Sequence, residues 1–221
     1  MSISQAFLNK ATLWGEAPFT TVLCFKGQPV FKQHHLKRLE KTIDEVYSSQ
    51  NSKSVIDDIE VSMDSISKEY EHCSHSYMRV TLFEDLAGSL EFFIWSFERE
   101  PSRNSISLKS RPFVGASDYS SAVKKSDYSF KFRQRDLVKK DGHDDIVFFN
   151  KDSDLLDTTT ANLFGIKDGV IVKTEIISGV LDGICAQEFI KYASVENISY
   201  KTQRISLKLC ILLSFIIYFM I

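Results

Sequence analysis

Basic, acidic and glycine residues in four short segments of the chain have the types and spacing to do chemistry together. The segments run from Ala17 to Leu39, from Val123 to Tyr128, from Asp157 to Phe164 and from Gly179 to Ile184. The second contains a Lys124-Lys125 pair, and a lysine amine can act as a covalent nucleophile and as a base. Each segment alone has an ordinary structural explanation, so the interpretation depends on all four occurring in this order.

Candidate ligands for an anion occur in the first and fourth segments. Arg38 follows His35 by three residues on a predicted helix, and its guanidinium presents a rigid fork of donors that suits phosphate. Gly183, Ile184 and Cys185 open another predicted helix, whose first backbone N–H groups form an anion site. The simpler alternatives are an arginine on an exposed helix face and an ordinary glycine before a helix.

Strands and helices of the first half must position the first segment. A hairpin is predicted from Phe19–Phe25 and Pro29–Phe31, around a Lys26-Gly27-Gln28 turn. One helix is then predicted from apolar residues at helical spacing, namely Leu36, Leu39, Ile43, Val46 and Tyr47. Further predicted elements are a helix over Val55–Tyr70 and two paired strands over Tyr77–Glu84 and Leu90–Phe97.

The second half is also predicted to mix strands and helices. The expected strands are Ile106–Arg111, Ile146–Asn150, Leu155–Thr158, Asn162–Lys167 and Val170–Thr174, and the expected helices are Asp127–Lys140 and Gly183–Ala193. The small, polar stretch from Pro112 to Ser121 is typical of a linker. We therefore predict an α+β fold with an N-terminal subdomain over 1–115 and a C-terminal subdomain over 116–221.

Composition and charge narrow the functional class. The chain has 221 residues, of which 43% are hydrophobic and 25% charged, and these values exclude disorder or a coiled coil as the whole structure. Lysine and arginine total 27 against 29 acidic residues, so no nucleic-acid partner is expected. The four cysteines are scattered without a Cys-x-x-Cys motif, which argues against zinc or disulfides. The run His72-Cys73-Ser74-His75 is predicted to be a polar loop, and no metal site is expected.

The two ends of the chain bear on localisation. Met1–Lys10 lacks the basic region and apolar core of a signal peptide, which predicts a cytoplasmic protein. Leu209–Ile221 is apolar except at Ser214, but its length falls short of the roughly 20 residues that a membrane-spanning helix needs. A buried final strand or helix, a short tail anchor and an aberrant or truncated end are the alternatives, and no membrane attachment is expected.

The order and spacing of the four segments resemble the class IV, or fold type IV, enzymes that use pyridoxal 5′-phosphate (PLP). That family includes branched-chain and D-amino-acid aminotransferases and aminodeoxychorismate lyase. The resemblance covers roughly residues 17 to 193. It implies a two-subdomain fold, a PLP cofactor, a small-molecule substrate and a homodimer. It also implies further closing strands after this region, so that the apolar tail would leave the C-terminal domain atypical.

The resemblance assigns the chemistry of the PLP ring to three residues. Lys124, three residues before Asp127, matches the family lysine that forms a Schiff base with PLP and acts as the base, with Lys125 as the alternative. Asp157 matches the acid beside the pyridine nitrogen, where the family more often has Glu. Tyr128 matches an aromatic hydroxyl that in some members bonds the ring oxygen.

The resemblance also assigns residues to the phosphate and the substrate. Arg38 matches the family's phosphate arginine, and Gly183, Ile184 and Cys185 match its phosphate loop. In the family this loop usually continues with Thr and Arg, where this chain has Cys185-Ala186. Thr21 is the candidate substrate hydroxyl.

The run Phe19-Thr20-Thr21 separates the possible reactions. It looks like aminodeoxychorismate lyase, where the transaminases more often have Phe-Glu-Thr. The resemblance therefore favours a lyase that forms 4-aminobenzoate, a folate precursor, and pyruvate. A branched-chain or D-amino-acid transaminase is the second alternative and would need a carboxylate ligand such as Arg79 or Arg111. An inactive, truncated family member is the third.

Overall fold

The computed structural model of the protein describes residues 9–15, 17–47, 52–98, 105–113, 123–124, 129–177, 180–210 and 215–220. The chain divides into two compact units. The first consists of Met1–Arg103 with Lys124–Asp127, and the second of Asn104–Val123 with Tyr128–Ile221. Lys124 therefore belongs to the first unit although it follows residues of the second.

The first unit is a four-stranded antiparallel sheet with helices. Its strands are β1 (Phe19–Phe25), β2 (Gln28–Pro29), β3 (His75–Glu84) and β4 (Leu90–Glu98), in the order β2-β1-β3-β4. Its helices are α1 (Lys10–Trp14), α2 (Lys32–Val46) and α3 (Ser52–Lys68).

Alternation along β1 decides which face of this sheet the helices cover. Thr20, Val22 and Cys24 are buried, and Val22 and Cys24 belong to a core with apolar residues of α2 and α3. The β1–β2 turn has positive φ at Lys26 (47°) and Gly27 (71°), as a two-residue hairpin loop requires. The predicted hairpin is thus confirmed, and it places Phe19 and Thr21 on the sheet face opposite the core.

The second unit contains two sheets. The first joins β5 (Leu108–Pro112), β6 (Asp145–Phe149) and β7 (Leu155–Thr158), and the second joins β8 (Ala161–Lys167), β9 (Val170–Thr174), β10 (Tyr200–Gln203) and β11 (Phe215–Met220). Their strand orders are β5-β6-β7 and β10-β9-β8-β11. Three helices accompany them, α4 (Ser129–Lys140), α5 (Ile184–Val195) and α6 (Leu207–Cys210).

Most predicted elements of the second unit are confirmed within a few residues, and Phe215–Met220 of the apolar tail forms a strand. Residues Phe215–Met220 pair antiparallel with β8, from Phe215 opposite Ile166 to Met220 opposite Ala161. None of the helices in the described ranges has the length and apolar character that a bilayer crossing requires. The linker predicted around residue 115 lies largely outside the described residues.

Candidate active site

Lys124 is buried in the first unit. The residue is 5% exposed, and its carbonyl oxygen accepts a hydrogen bond of 2.8 Å from the backbone N–H of Phe19. Its Nζ lies 4.7 Å from the centroid of the Phe19 ring, a distance at which a cation and an aromatic face attract each other. The backbone bond thus ties Lys124 to the first residue of β1, and its amine lies against an aromatic ring instead of in bulk water.

His35 is a buried histidine that senses the charges of both Arg38 and Lys124. It is 5% exposed on α2, and its Nδ1 is 2.6 Å from Thr20 Oγ1. Burial, together with the smaller effects of the Arg38, Lys124 and His34 charges, lowers the pKa of His35 to about 3. The predicted lysine and the predicted phosphate arginine are therefore close enough to the same imidazole for both to repel its protonated form.

The neutral state of His35 makes the stability of the protein depend on pH. The ordinary pKa of histidine is 6.5 and the folded value is about 3, so between these values the unfolded chain binds more protons than the folded one. We expect the titration of His35 to lower the free energy of unfolding by about 1.4 kcal/mol for each unit by which the pH drops below about 6.5. Urea unfolding at several pH values between 5 and 7 measures this slope.

His35→Gln keeps a polar side chain but removes the titration, so we expect a shallower slope. His72→Gln, at a side chain that is 70% exposed, is the matched control and should leave the slope unchanged. Equal slopes for wild type and His35→Gln would contradict a neutral, buried His35.

Thr21 and Arg79 share the sheet face that carries Phe19. Thr21 is half-buried on β1 and lies opposite Arg79 of β3. The guanidinium carbon of Arg79 is 3.7 Å from the centroid of the Phe19 ring, and its Nε donates a hydrogen bond of 3.3 Å to Thr81 Oγ1. Phe19 is therefore contacted by two cations, Arg79 and Lys124, and Thr21 is next but one along the strand.

Asp157 is buried in the second unit, on β7. It is 1% exposed, and its Oδ1 accepts a hydrogen bond of 3.0 Å from Lys131 Nζ on α4. Its Oδ2 is buried and has no hydrogen-bond partner among the described residues. Burial raises the pKa of Asp157, while the Lys131 ammonium and the backbone N–H of Leu181 oppose that rise. A buried acceptor without a partner is costly, and it fits a cofactor that brings a protonated ring nitrogen.

Asn162 fixes the start of α5. Its Nδ2 donates a hydrogen bond of 2.7 Å to the Leu181 carbonyl oxygen, and its Oδ1 accepts one of 3.1 Å from the Gly183 N–H. Gly183 is the N-cap of α5 and has no side-chain cap. Ile184 and Cys185 follow in the first turn, where backbone N–H groups have no partner within a helix. This geometry suits the anion-binding role predicted for Gly183, Ile184 and Cys185, and sequence reasoning missed the clamp by Asn162.

Two candidate cofactor residues from the sequence lie outside the residues that the structure describes. Tyr128 and Lys125 are not among the described residues, so their predicted or alternative roles stay predictions. Arg111, the other candidate carboxylate ligand, is exposed on β5.

A cluster of metal-ligand types lies on the surface of the first unit. Three residues, His72, Cys73 and Glu98, each offer one possible metal-ligand atom. These three atoms lie within 4.8 Å of one another. His72 Nε2 contacts Glu98 Oε1 at 3.3 Å, and their side chains are 70% and 64% exposed. An exposed ion pair accounts for this contact. The three residues of the cluster meet because the end of β4, which carries Glu98, lies next to the turn before β3, which carries His72 and Cys73.

Comparisons with known proteins identify the family. Residues 17–210 match the family model of the class IV aminotransferases. No curated protein gives a significant sequence match. A solved structure from Legionella pneumophila, provisionally assigned as a 4-amino-4-deoxychorismate lyase, has 20% identity and a TM-score of 0.85, over 99% of this chain and 83% of that one.

Two further structures have the same fold. The branched-chain amino acid aminotransferase of Escherichia coli has 19% identity and a TM-score of 0.77, over 99% of this chain and 76% of that one. A hypothetical aminotransferase from Mycobacterium tuberculosis, solved in a PLP-bound form, has 12% identity and a TM-score of 0.81, over 99% of this chain and 81% of that one. The predicted α+β fold of type IV is confirmed. This chain belongs to the class IV aminotransferase family and is a PLP-dependent enzyme.

Proposed function

We propose that the protein is a lyase that converts 4-amino-4-deoxychorismate to 4-aminobenzoate and pyruvate. The observation that carries the proposal is the burial of Lys124 against Phe19, the first residue of the Phe-Thr-Thr run that resembles aminodeoxychorismate lyase. A transaminase remains the second candidate. Both reactions require a lysine that is kept out of water and can move a proton.

Lys124 is the proposed catalytic residue. Bound PLP supplies an electron sink for the bond-breaking step. Lys124 Nζ would hold the cofactor covalently through its aldehyde in the absence of substrate, and after the substrate amine had displaced it the freed Lys124 amine would accept the proton that leaves the substrate ring. Because elimination of pyruvate makes the ring aromatic, the reaction needs no oxidant and no second substrate.

The anionic arm and the ring of PLP are assigned to different residues. As the family resemblance implies, Arg38 and the backbone N–H groups of Gly183, Ile184 and Cys185 would hold the phosphate, since a guanidinium and a helix N-terminus both favour an anion. Asp157 Oδ2 would accept a hydrogen bond from the ring nitrogen, and Tyr128 would bond the ring oxygen, as the family resemblance implies. Cys185 offers a thiol where relatives usually have a hydroxyl, so the backbone carries more of the phosphate binding.

Thr21 and Arg79 are the proposed substrate ligands of the first unit. The Thr21 hydroxyl binds a polar group of the substrate on the face that Phe19 shares. Arg79 supplies a cation for a substrate carboxylate, and its contact with Phe19 at 3.7 Å places it against the ring that Lys124 also contacts. An arginine in this position would also suit the α-carboxylate of an amino acid. The position of Arg79 therefore also supports a transaminase, which is the alternative function.

A two-substrate assay with PLP-loaded protein decides between the candidates. Release of pyruvate from aminodeoxychorismate, without amino-group exchange between amino acids and 2-oxo acids, supports the lyase. The reverse pattern supports the transaminase. An inactive family member would show neither activity while still folding, and circular dichroism checks the fold.

The cellular setting follows from the proposed reaction. Its product is a precursor for folate biosynthesis, and we propose a cytoplasmic homodimer. Light scattering of the purified protein at several concentrations tests the dimer.

A further inference from the structure

The ion pair between Lys131 and Asp157 is an unusual feature of the second unit. The two side chains are 17% and 2% exposed, and Lys131 Nζ is 3.0 Å from Asp157 Oδ1. Lys131 Nζ also lies 5.9 Å and 5.8 Å from the ring centroids of Phe113 and Phe148. Phe148 belongs to an apolar cluster with Val138 of α4. The pair is therefore formed in apolar surroundings.

A buried ion pair of this kind needs a reason other than stability. Moving a charged group out of water costs several kcal/mol per ion. Apolar residues of similar size in the same place often give a protein that is equally stable or more stable. Among the described residues, Lys131 is the charged side chain that acts on Asp157, together with the backbone N–H groups of Leu181 and of Asp157 itself. Lys131 occupies only Oδ1, and Oδ2 is left buried without a hydrogen-bond partner in the described part of the chain.

We propose that Lys131 is a positioning residue of the cofactor site, which holds Asp157 in its ionised form before PLP binds and keeps Oδ2 available for the ring nitrogen. This inference rests on the proposed function of Asp157. A lysine in a charged helix is ordinarily exposed, so the sequence alone does not indicate this role for Lys131.

The ionisation state of Asp157 before binding sets the number of protons that the protein takes up when it binds PLP. When Asp157 is ionised, a cofactor whose ring nitrogen is unprotonated must take a proton from solvent to form the N–H···carboxylate pair. When Lys131 is absent, the buried carboxyl is neutral and already holds that proton, which simply moves to the nitrogen. Both routes end in the same charged pair, but the first takes up one more proton from solvent.

Calorimetry of the cofactor-free protein with PLP tests this difference. Titrations in buffers of different ionisation enthalpy count the protons, and we expect wild type to take up about one more proton than Lys131→Met. For each unit by which the pH rises, the affinity of wild type for PLP should therefore fall about tenfold more than the affinity of Lys131→Met. Lys131→Arg keeps the charge and should resemble wild type, as should Lys139→Met at an exposed position of the same helix. Equal proton counts for wild type and Lys131→Met would overturn the proposal.

A second measurement does not depend on PLP binding. The carboxyl ¹³C signal of Asp157 in the cofactor-free protein, assigned with Asp157→Asn, reports its ionisation directly. We expect an ionised carboxylate at neutral pH in wild type and a neutral carboxyl in Lys131→Met. A neutral Asp157 in wild type would overturn the role of Lys131. Failure to bind PLP would instead contradict the proposed function, while the ¹³C signal would still decide the state of the pair.

Discussion

Lys124→Ala is expected to abolish covalent attachment of PLP and to lower turnover by at least about 10²- to 10⁴-fold, the range that a positioned acid or base contributes. The buried amine against Phe19 is the proposed covalent anchor and the proposed proton acceptor, and alanine provides neither. Loss of the visible absorbance of protein-bound PLP measures the first effect. Pyruvate release from aminodeoxychorismate measures the second.

Lys125→Ala is the matched control for this experiment, because it removes the neighbouring amine. We expect it to keep both the absorbance and the activity. If Lys125→Ala loses the bound cofactor and Lys124→Ala keeps it, the anchor has been assigned to the wrong lysine of the pair. If neither variant loses the bound cofactor, neither lysine is by itself the required anchor, which contradicts the role proposed for Lys124.

Asp157→Asn is expected to destabilise the protein by about 3–5 kcal/mol, the usual cost of removing one partner from a buried ion pair. The change removes the negative charge that Lys131 contacts at 3.0 Å, in surroundings where the lysine side chain is only 17% exposed. It also removes the proposed negative partner of the ring nitrogen, so activity should fall with stability. Urea unfolding of the cofactor-free protein isolates the effect on stability.

A double variant separates the ion pair from other effects of the substitution. Lys131→Met with Asp157→Asn removes both charges, and we expect it to recover much of the lost stability without recovering activity. Asp152→Asn, at an exposed turn position, should leave both unchanged. Wild-type stability of Asp157→Asn would show that the two groups do not form a buried ion pair.

Local patterns predicted most of the fold because the elements they describe depend on near neighbours. The β1 hairpin and α2 follow from alternation, a turn and helical spacing, and the structure confirms both. Strand β10 was missed because Tyr200–Gln203 is largely exposed and has no alternation, and its pairing with β9 supplies the strand geometry. Helix α1 was missed because five residues are too few for a pattern, although Asn9 and Thr12 form a capping box.

The family could be predicted from the sequence alone, because the order and spacing of four short segments resemble it and residues 17–210 match its family model. The same resemblance proposes roles for Lys124, Arg38, Asp157 and Thr21, and these roles stay predictions. The partners of these residues were decided by the tertiary structure. Lys131 reaches Asp157 across 26 positions of sequence, and Thr20 meets His35 across 15. Such contacts depend on how strands and helices that are distant in sequence pack. Only the folded chain therefore determines which polar and charged groups are buried next to each other.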